Sequence, residues 1–214
     1  MKYLFAIATL LAASSASAVS VTSVAGAPDL GPTAGENLVM TFDGPDPAGW
    51  TWSGGYAVAP GGILNSGVAA PPAGAGNTYA PTNYAYVSPA TSSPATLAFG
   101  NALRTVSLYW GSIDDYNTLE VLGAGNAVIA TILGGTLPPA GGNQFSGNTN
   151  RRVFIDANGF GITGLRFSSS QAAFEFDDIA GQGVPEPQSW AMLIAGMGLV
   201  GVMSRRRRQV TISA

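Results

Sequence analysis

From Leu38 onward, glycine, proline and asparagine interrupt this chain every few residues, which confines it to short extended segments. With 29 glycines and 14 prolines, no soluble stretch carries apolar residues at helical spacing over a useful length. Strands are expected at Leu38–Phe42, Ala95–Phe99, Leu103–Trp110, Thr118–Leu122, Ala127–Leu133, Arg152–Asp156, Ile162–Ser168 and Ala172–Ile179. Alternation assigns faces: Val106, Leu108 and Trp110 to one, Thr105, Ser107 and Tyr109 to the other. Phe174 and Phe176 likewise oppose Glu175 and Asp177. Many short strands without cysteines predict an all-β domain, an antiparallel β-sandwich of jelly-roll-like form. Residues 60–94, which hold Tyr79, Tyr84 and Tyr86, read as a long Ala/Pro/Gly-rich loop region. There is no tandem repeat.

The two ends read differently from the middle. Lys2 precedes an apolar run from Tyr3 to Ala13, and small residues follow up to Ala16-Ser17-Ala18. A basic start, a short apolar run and an Ala-x-Ala end predict a signal peptide over residues 1–18, removed by signal peptidase before Val19. The run falls well short of the ~20 residues a spanning helix needs. At the other end, Val184-Pro185-Glu186-Pro187-Gln188-Ser189-Trp190 leads into the apolar segment Ala191–Met203 and the arginines Arg205, Arg206, Arg207 and Arg208. This predicts a single transmembrane helix over about 189–204, with Trp190 at one interface and the arginines in the cytoplasm. Gly196, Gly198 and Gly201 spell G-x-G-x-x-G, but no strand precedes them and no acidic residue follows at the required distance. They are read instead as close-packing positions, since Ala191, Ala195 and Gly198 share one helical face.

Pro185-Glu186-Pro187, Trp190, the glycine-containing apolar helix and the terminal arginines together resemble the PEP-CTERM sorting signal, over residues 185–209. The resemblance implies a Gram-negative bacterium and an exosortase that cuts near Pro-Glu-Pro. The inner membrane would then hold the chain only transiently before release to the cell surface or the exterior. It also implies an association with exopolysaccharide and biofilm.

Cutting away both ends leaves residues 19–184, enough for one domain with a real core. That domain has 11 acidic side chains against four arginines (Arg104, Arg151, Arg152 and Arg166) and no lysine, a net charge of −7. Such a surface argues against nucleic acid and anionic lipid. The absence of histidine and cysteine excludes Ser-His-Asp and Cys-His catalysis, and His-ligated zinc or iron.

Two constellations stand out. Asp43 and Asp46 follow the strand Leu38–Phe42, and Asp177 and Asp178 lie near the domain's end. First and last strands are often neighbours in jelly rolls, so these oxygens could converge on Ca²⁺. The same residues also fit Asx turns and, with Glu175, a solvated face. Asp178 shares parity with the two phenylalanines. The second constellation is Tyr109-Trp110-Gly111-Ser112-Ile113-Asp114-Asp115-Tyr116-Asn117-Thr118, which resembles a segment of extracellular domains in the exosortase-sorted group. Trp110, Asp114, Asp115, Tyr116 and Asn117 could stack on and hydrogen-bond to a glycan, or form a core tryptophan followed by a polar hairpin. Trp50 and Trp52, with Tyr56, are read equally as core or as sugar platform. Adjacent carboxylates such as Asp114/Asp115 usually point apart, and no Ser lies in G-x-S-x-G, so no catalytic residue is assigned. The expectation is a non-catalytic surface or matrix protein. The alternatives are a polysaccharide-active enzyme on the same fold and a permanent single-span membrane protein.

Overall fold

The computed structural model describes residues 19–61, 68–72, 83–144, 146–184 and 187–207. The expected signal peptide with Ala16 and Ala18, and also Tyr79, Pro185, Glu186 and Arg208, lie outside the described residues. The strands are β1 (Ser20–Ala25), β2 (Asn37–Met40), β3 (Thr51–Gly54), β4 (Ala57–Pro60), β5 (Asn83–Val87), β6 (Ala95–Gly111), β7 (Asn117–Leu122), β8 (Val128–Leu133), β9 (Arg151–Asp156), β10 (Ile162–Ser169) and β11 (Phe174–Gly183); helix α1 (Pro187–Arg207) follows. The expected loop over 60–94 thus contains a strand, β5, whose Tyr84 and Tyr86 are buried. The expected strands Ala95–Phe99 and Leu103–Trp110 are one continuous strand, β6.

β6 joins two groups of strands. Its first half pairs with β3 and β10, and β10 continues through β7 to β8. Its second half pairs with β9 and β11; β9 continues to β1, while β11 pairs with β5 and β2. All these pairings are antiparallel, and the two groups close face to face as a β-sandwich. Along β6 the core residues are Ala95, Leu97, Phe99 and Leu103, then Val106, Leu108 and Trp110. The inward parity therefore switches between Leu103 and Val106, where the register with β11 also shifts. Each half of the strand thereby presents its apolar side to the same core.

Aromatic rings fill the space between the layers. Phe167 of β10 stacks on Phe176 of β11 with centroids 4.0 Å apart and planes 5° apart, and meets Phe174 edge-on at 5.4 Å. Trp110 stacks on Phe174 at 4.1 Å. Trp52 lies on Tyr56 at 4.1 Å and Trp50 beside Phe99 at 4.4 Å. Trp50, Trp52 and Trp110 therefore pack in or against the core.

The opposite face of β6 is buried as well. Ser107 and Tyr109, which alternation placed away from the core, are covered by the connection between β1 and β2. Arg152, fully buried, bonds Asp29 at 2.7 Å through Nη1 and donates to Ser107 Oγ through Nε and Nη2. Ser107 Oγ donates to Glu36 Oε2 at 2.6 Å, and Tyr109 Oη donates to the Gly26 carbonyl at 2.7 Å. One buried cation thus holds a polar strap against the sheet. Removing one member of a buried pair strands the other, at a cost of about 3–5 kcal/mol. Arg152→Ala is accordingly expected to lower the unfolding free energy by an amount in that range, read in urea as a lower midpoint at unchanged slope. A double Arg152→Met, Asp29→Leu variant should recover part of the loss, because no unpaired charge remains.

Candidate functional site

The turn between β6 and β7 carries the second sequence constellation. Its backbone is gripped from two sides. Gly141 and Gly142 N–H groups donate to the Ile113 carbonyl at 3.0 and 3.1 Å, and Ile113 N–H donates to the Thr149 carbonyl at 2.9 Å. A Cβ on Gly134 would come within 1.9 Å of the Asp114 carbonyl oxygen, and one on Gly142 within 2.2 Å of Asp114 Oδ1. These two glycines permit the close approach that fixes Asp114. Tyr116 Oη lies 2.6 Å from Asp114 Oδ2 and 2.9 Å from the Ala172 carbonyl, so its one proton serves either. Asn117 is fully buried; its Nδ2 donates to the Ala173 carbonyl at 3.1 Å and its Oδ1 accepts from Ser169 Oγ at 2.8 Å.

The five residues expected to meet a glycan do not share one exposed surface. Trp110 lies wholly inside the core and offers no ring face to a ligand. Asn117 is spent on holding β7 to the start of β11, while only Asp115 is exposed. Of the two readings, core tryptophan and polar hairpin describes the geometry.

What the turn does build is a buried carboxyl site. Glu175, expected on a solvated face, is 3% exposed. Its Oε1 accepts from Ala70 N–H at 2.9 Å and its Oε2 from Ser112 Oγ at 3.0 Å. Val68, Ala69, Ala70, Gln144, Ala172 and Glu175 line a cavity of ≈ 130 Å³ beside it. Burial raises the Glu175 carboxyl to about 8; its hydrogen bonds oppose the shift and the Asp114 charge adds to it. Burial also raises Asp114, against the Tyr116 hydrogen bond. Sequence reasoning missed this site because the covering Ala70 is 105 residues away along the chain.

Of the residues expected to gather round calcium, Asp43 acts electrostatically on Asp178, whereas Asp46 acts on Tyr56. β2 does pair with β11, Met40 opposite Ile179, which brings the residues after β2 toward the end of the sheet. Asp43 Oδ1, however, accepts from Asn83 N–H at 2.7 Å, and Asp177 Oδ1 accepts from Asp178 N–H at 2.8 Å. Asp178 has a positive φ of 50° at the register shift in β11, so Ile179 takes the core side and parity with the phenylalanines ends there. Burial raises Asp178 to about 6; Asp29 and Asp43 push it the same way, and Arg152 opposes. Among the described residues, no group of three or more acidic side chains stands close enough to hold a metal ion.

The sign of the Glu175 effect follows from linkage. The unfolded carboxyl titrates near 4.5 and the folded one near 8, so between these values the folded state holds the extra proton. Stability is fully present below about 4.5 and is lost as pH rises through 8, with a slope of at most about 1.4 kcal/mol per pH unit. Asp178 acts in the same sense between 3.8 and about 6. Melting temperature should therefore fall between pH 6 and 9 in the wild type and stay nearly flat in Glu175→Gln. An equal fall in both would assign the pH dependence to other groups.

At the C-terminus, β11 ends at Gly183 and Val184 N–H reaches the Ala102 carbonyl at 3.5 Å. Helix α1 then includes Pro187, Trp190, Gly196, Gly198, Gly201 and Arg205–Arg207. Met192, Ile194, Met197, Leu199, Val200 and Met203 on it are exposed. Among the described residues no helix is long and apolar enough to cross a membrane. The run Ala191–Met203 would span only about 20 Å at about 1.5 Å per residue, against a hydrocarbon core of about 30 Å.

No curated protein matches the chain. Among solved structures, the K2 cleaved adhesin domain of Lys-gingipain is similar at 14% identity over 67% of this chain and 98% of that one, with a TM-score of 0.28. Residues 183–208 match the PEP-CTERM protein-sorting motif, which implies processing by an exosortase and export toward the cell surface. The segment that begins where the last strand of the sandwich ends is a PEP-CTERM sorting motif.

Proposed function

We propose that the chain is a non-catalytic surface or extracellular-matrix protein of a Gram-negative bacterium, delivered by a signal peptide over residues 1–18 and released by an exosortase. The observation that carries this reading is the sorting motif at residues 183–208, placed immediately after β11. The working form is the β domain from Val19 to about Val184, and residues 185–209 are an address. Helix α1 acts as a brief inner-membrane anchor. Its exposed methionine, isoleucine, leucine and valine side chains suit lipid or a processing enzyme better than water. Arginines that snorkel to the head groups, and local thinning of the bilayer, offset its short length.

The non-catalytic reading is supported by the state of Glu175, a strongly shifted acid facing a cavity. A general acid must reach the proton acceptor on its substrate. Both Glu175 oxygens are instead occupied by Ala70 N–H and Ser112 Oγ, beside a cavity of only ≈ 130 Å³. A matrix rich in exopolysaccharide suits an acidic domain without lysine, since neutral polymer neither repels nor binds it through charge.

Fractionation tests the sorting. An epitope inserted between Gly183 and Pro185 should be found outside the cell in the parent strain and in the inner membrane when the exosortase is deleted. Replacing Pro185, Glu186 and Pro187 together with alanine should give the same membrane retention. A cytoplasmic epitope, or release that ignores both changes, refutes the proposal.

A further inference from the structure

We propose that a groove on the outer face of β1, β9 and β6 binds one unit of a neutral saccharide chain. Ser20, Thr22, Thr33, Glu36, Thr105, Phe154 and Asp156 line it, with Ile155 beneath, around a volume of ≈ 190 Å³, room for one pyranose ring. Strand register explains why these residues meet. Thr22 lies opposite Phe154, and Ser20 lies opposite Asp156, which in turn faces Thr105. The polar strap between β1 and β2 covers Ser107 and Tyr109 but ends short of this row, and Glu36 forms its last wall.

Each part of the groove suits a sugar. Phe154 supplies a half-exposed apolar ring at the base. Three threonines and one serine supply hydroxyls that both donate and accept. Thr105 Oγ1 is buried with no hydrogen-bond partner, an uncommon cost that a ligand hydroxyl would remove. The two carboxylates are held in place by one oxygen each: Glu36 Oε2 accepts from Ser107 Oγ, and Asp156 Oδ1 accepts from Asn158 N–H at 2.7 Å. Their other oxygens remain to receive sugar hydroxyls, from donors whose acceptors are already oriented. Among the described residues no cation lines the groove, so uronic or sulfated sugars would meet two like charges. Two carboxylates also fall short of the six to eight oxygens, several of them charged, that a calcium site gathers.

The inference rests on the extracellular reading only for where such a ligand is met. The test uses the full-length chain in a detergent without a sugar head group, titrated calorimetrically with cellohexaose, mannohexaose and chitohexaose. At least one should bind, and Phe154→Ala should weaken it at least about tenfold through loss of the apolar contact. Thr105→Val, which keeps the shape and removes the hydroxyl, should weaken it about two- to tenfold, the range for one hydrogen bond. Thr131→Ala, exposed on β8 away from the groove, should leave it unchanged. Melting curves confirm that each variant is folded. No binding of any of the three at millimolar concentration overturns the proposal, as does binding that both groove variants leave intact. Displacement of bound sugar by Ca²⁺ alone would assign the groove to a cation and overturn it too. Fractionation separates the two ideas: an exported chain that binds no sugar loses only the groove, and a sugar-binding chain that is not exported loses only the sorting.

Discussion

β6 runs through both layers of the sandwich, and everything else in the domain is placed by how that one strand turns its side chains. A strand of constant parity would face the core along half its length and turn away from it along the other half. The phase change between Leu103 and Val106 removes this conflict. β3 and β10 can then pair with the first half and β9 and β11 with the second, and both groups close over the same aromatic cluster. The stack of Phe167 on Phe176 is a direct contact between the layers. Aromatic pairs of this kind add about 0.5–1.5 kcal/mol beyond the area they bury, and several of them share the same rings.

The second half of β6 is buried on both faces, which has an electrostatic consequence. A chain with few cations puts one of them, Arg152, entirely inside, where it organises Asp29, Ser107 and Glu36. Carboxylates on this side have settled partners. Farther along the same face, Glu175 is held only by neutral donors and takes up a proton well above the ordinary carboxylate range. The contrast follows from the pairing: a guanidinium stabilises the charged form, whereas an amide and a hydroxyl do not fully replace the water that burial removes. The groove beside β1 meets the edge of the Arg152 network at Glu36, whose Oε2 is taken by Ser107 Oγ.

Several features were legible because they depend only on neighbours along the chain. The strands β7, β8, β9 and β10 fall within a residue or so of where alternation and turn residues put them. Four strands were not legible. β1 follows the expected leader as Ser-Val-Thr-Ser-Val-Ala, β3 and β4 are four residues each, and β5 sits in an Ala/Pro/Gly-rich region. Strands this short are stabilised by partners rather than by their own pattern. The break assumed at Gly100–Ala102 is absent: the backbone stays extended through it, and the change of parity falls later, between Leu103 and Val106.

By itself the sequence determined an all-β domain with a helix after it, the sorting motif, the acidic balance and the absence of histidine and cysteine chemistry. These are matters of residue type, turn signals and local order. Tertiary structure alone decided which polar groups are buried and which meet solvent. Alternation sorts side chains into two faces but cannot say that both faces are covered, as they are at Ser107, Tyr109, Glu175 and Asp177. It placed Trp110 correctly on a face but could not tell a sugar platform from a core, because Phe174 closes over it from a distant strand. The groove on β1, β9 and β6 is a product of register between three strands far apart in the chain. Hydrogen bonds across a sheet carry that information, and no local pattern does.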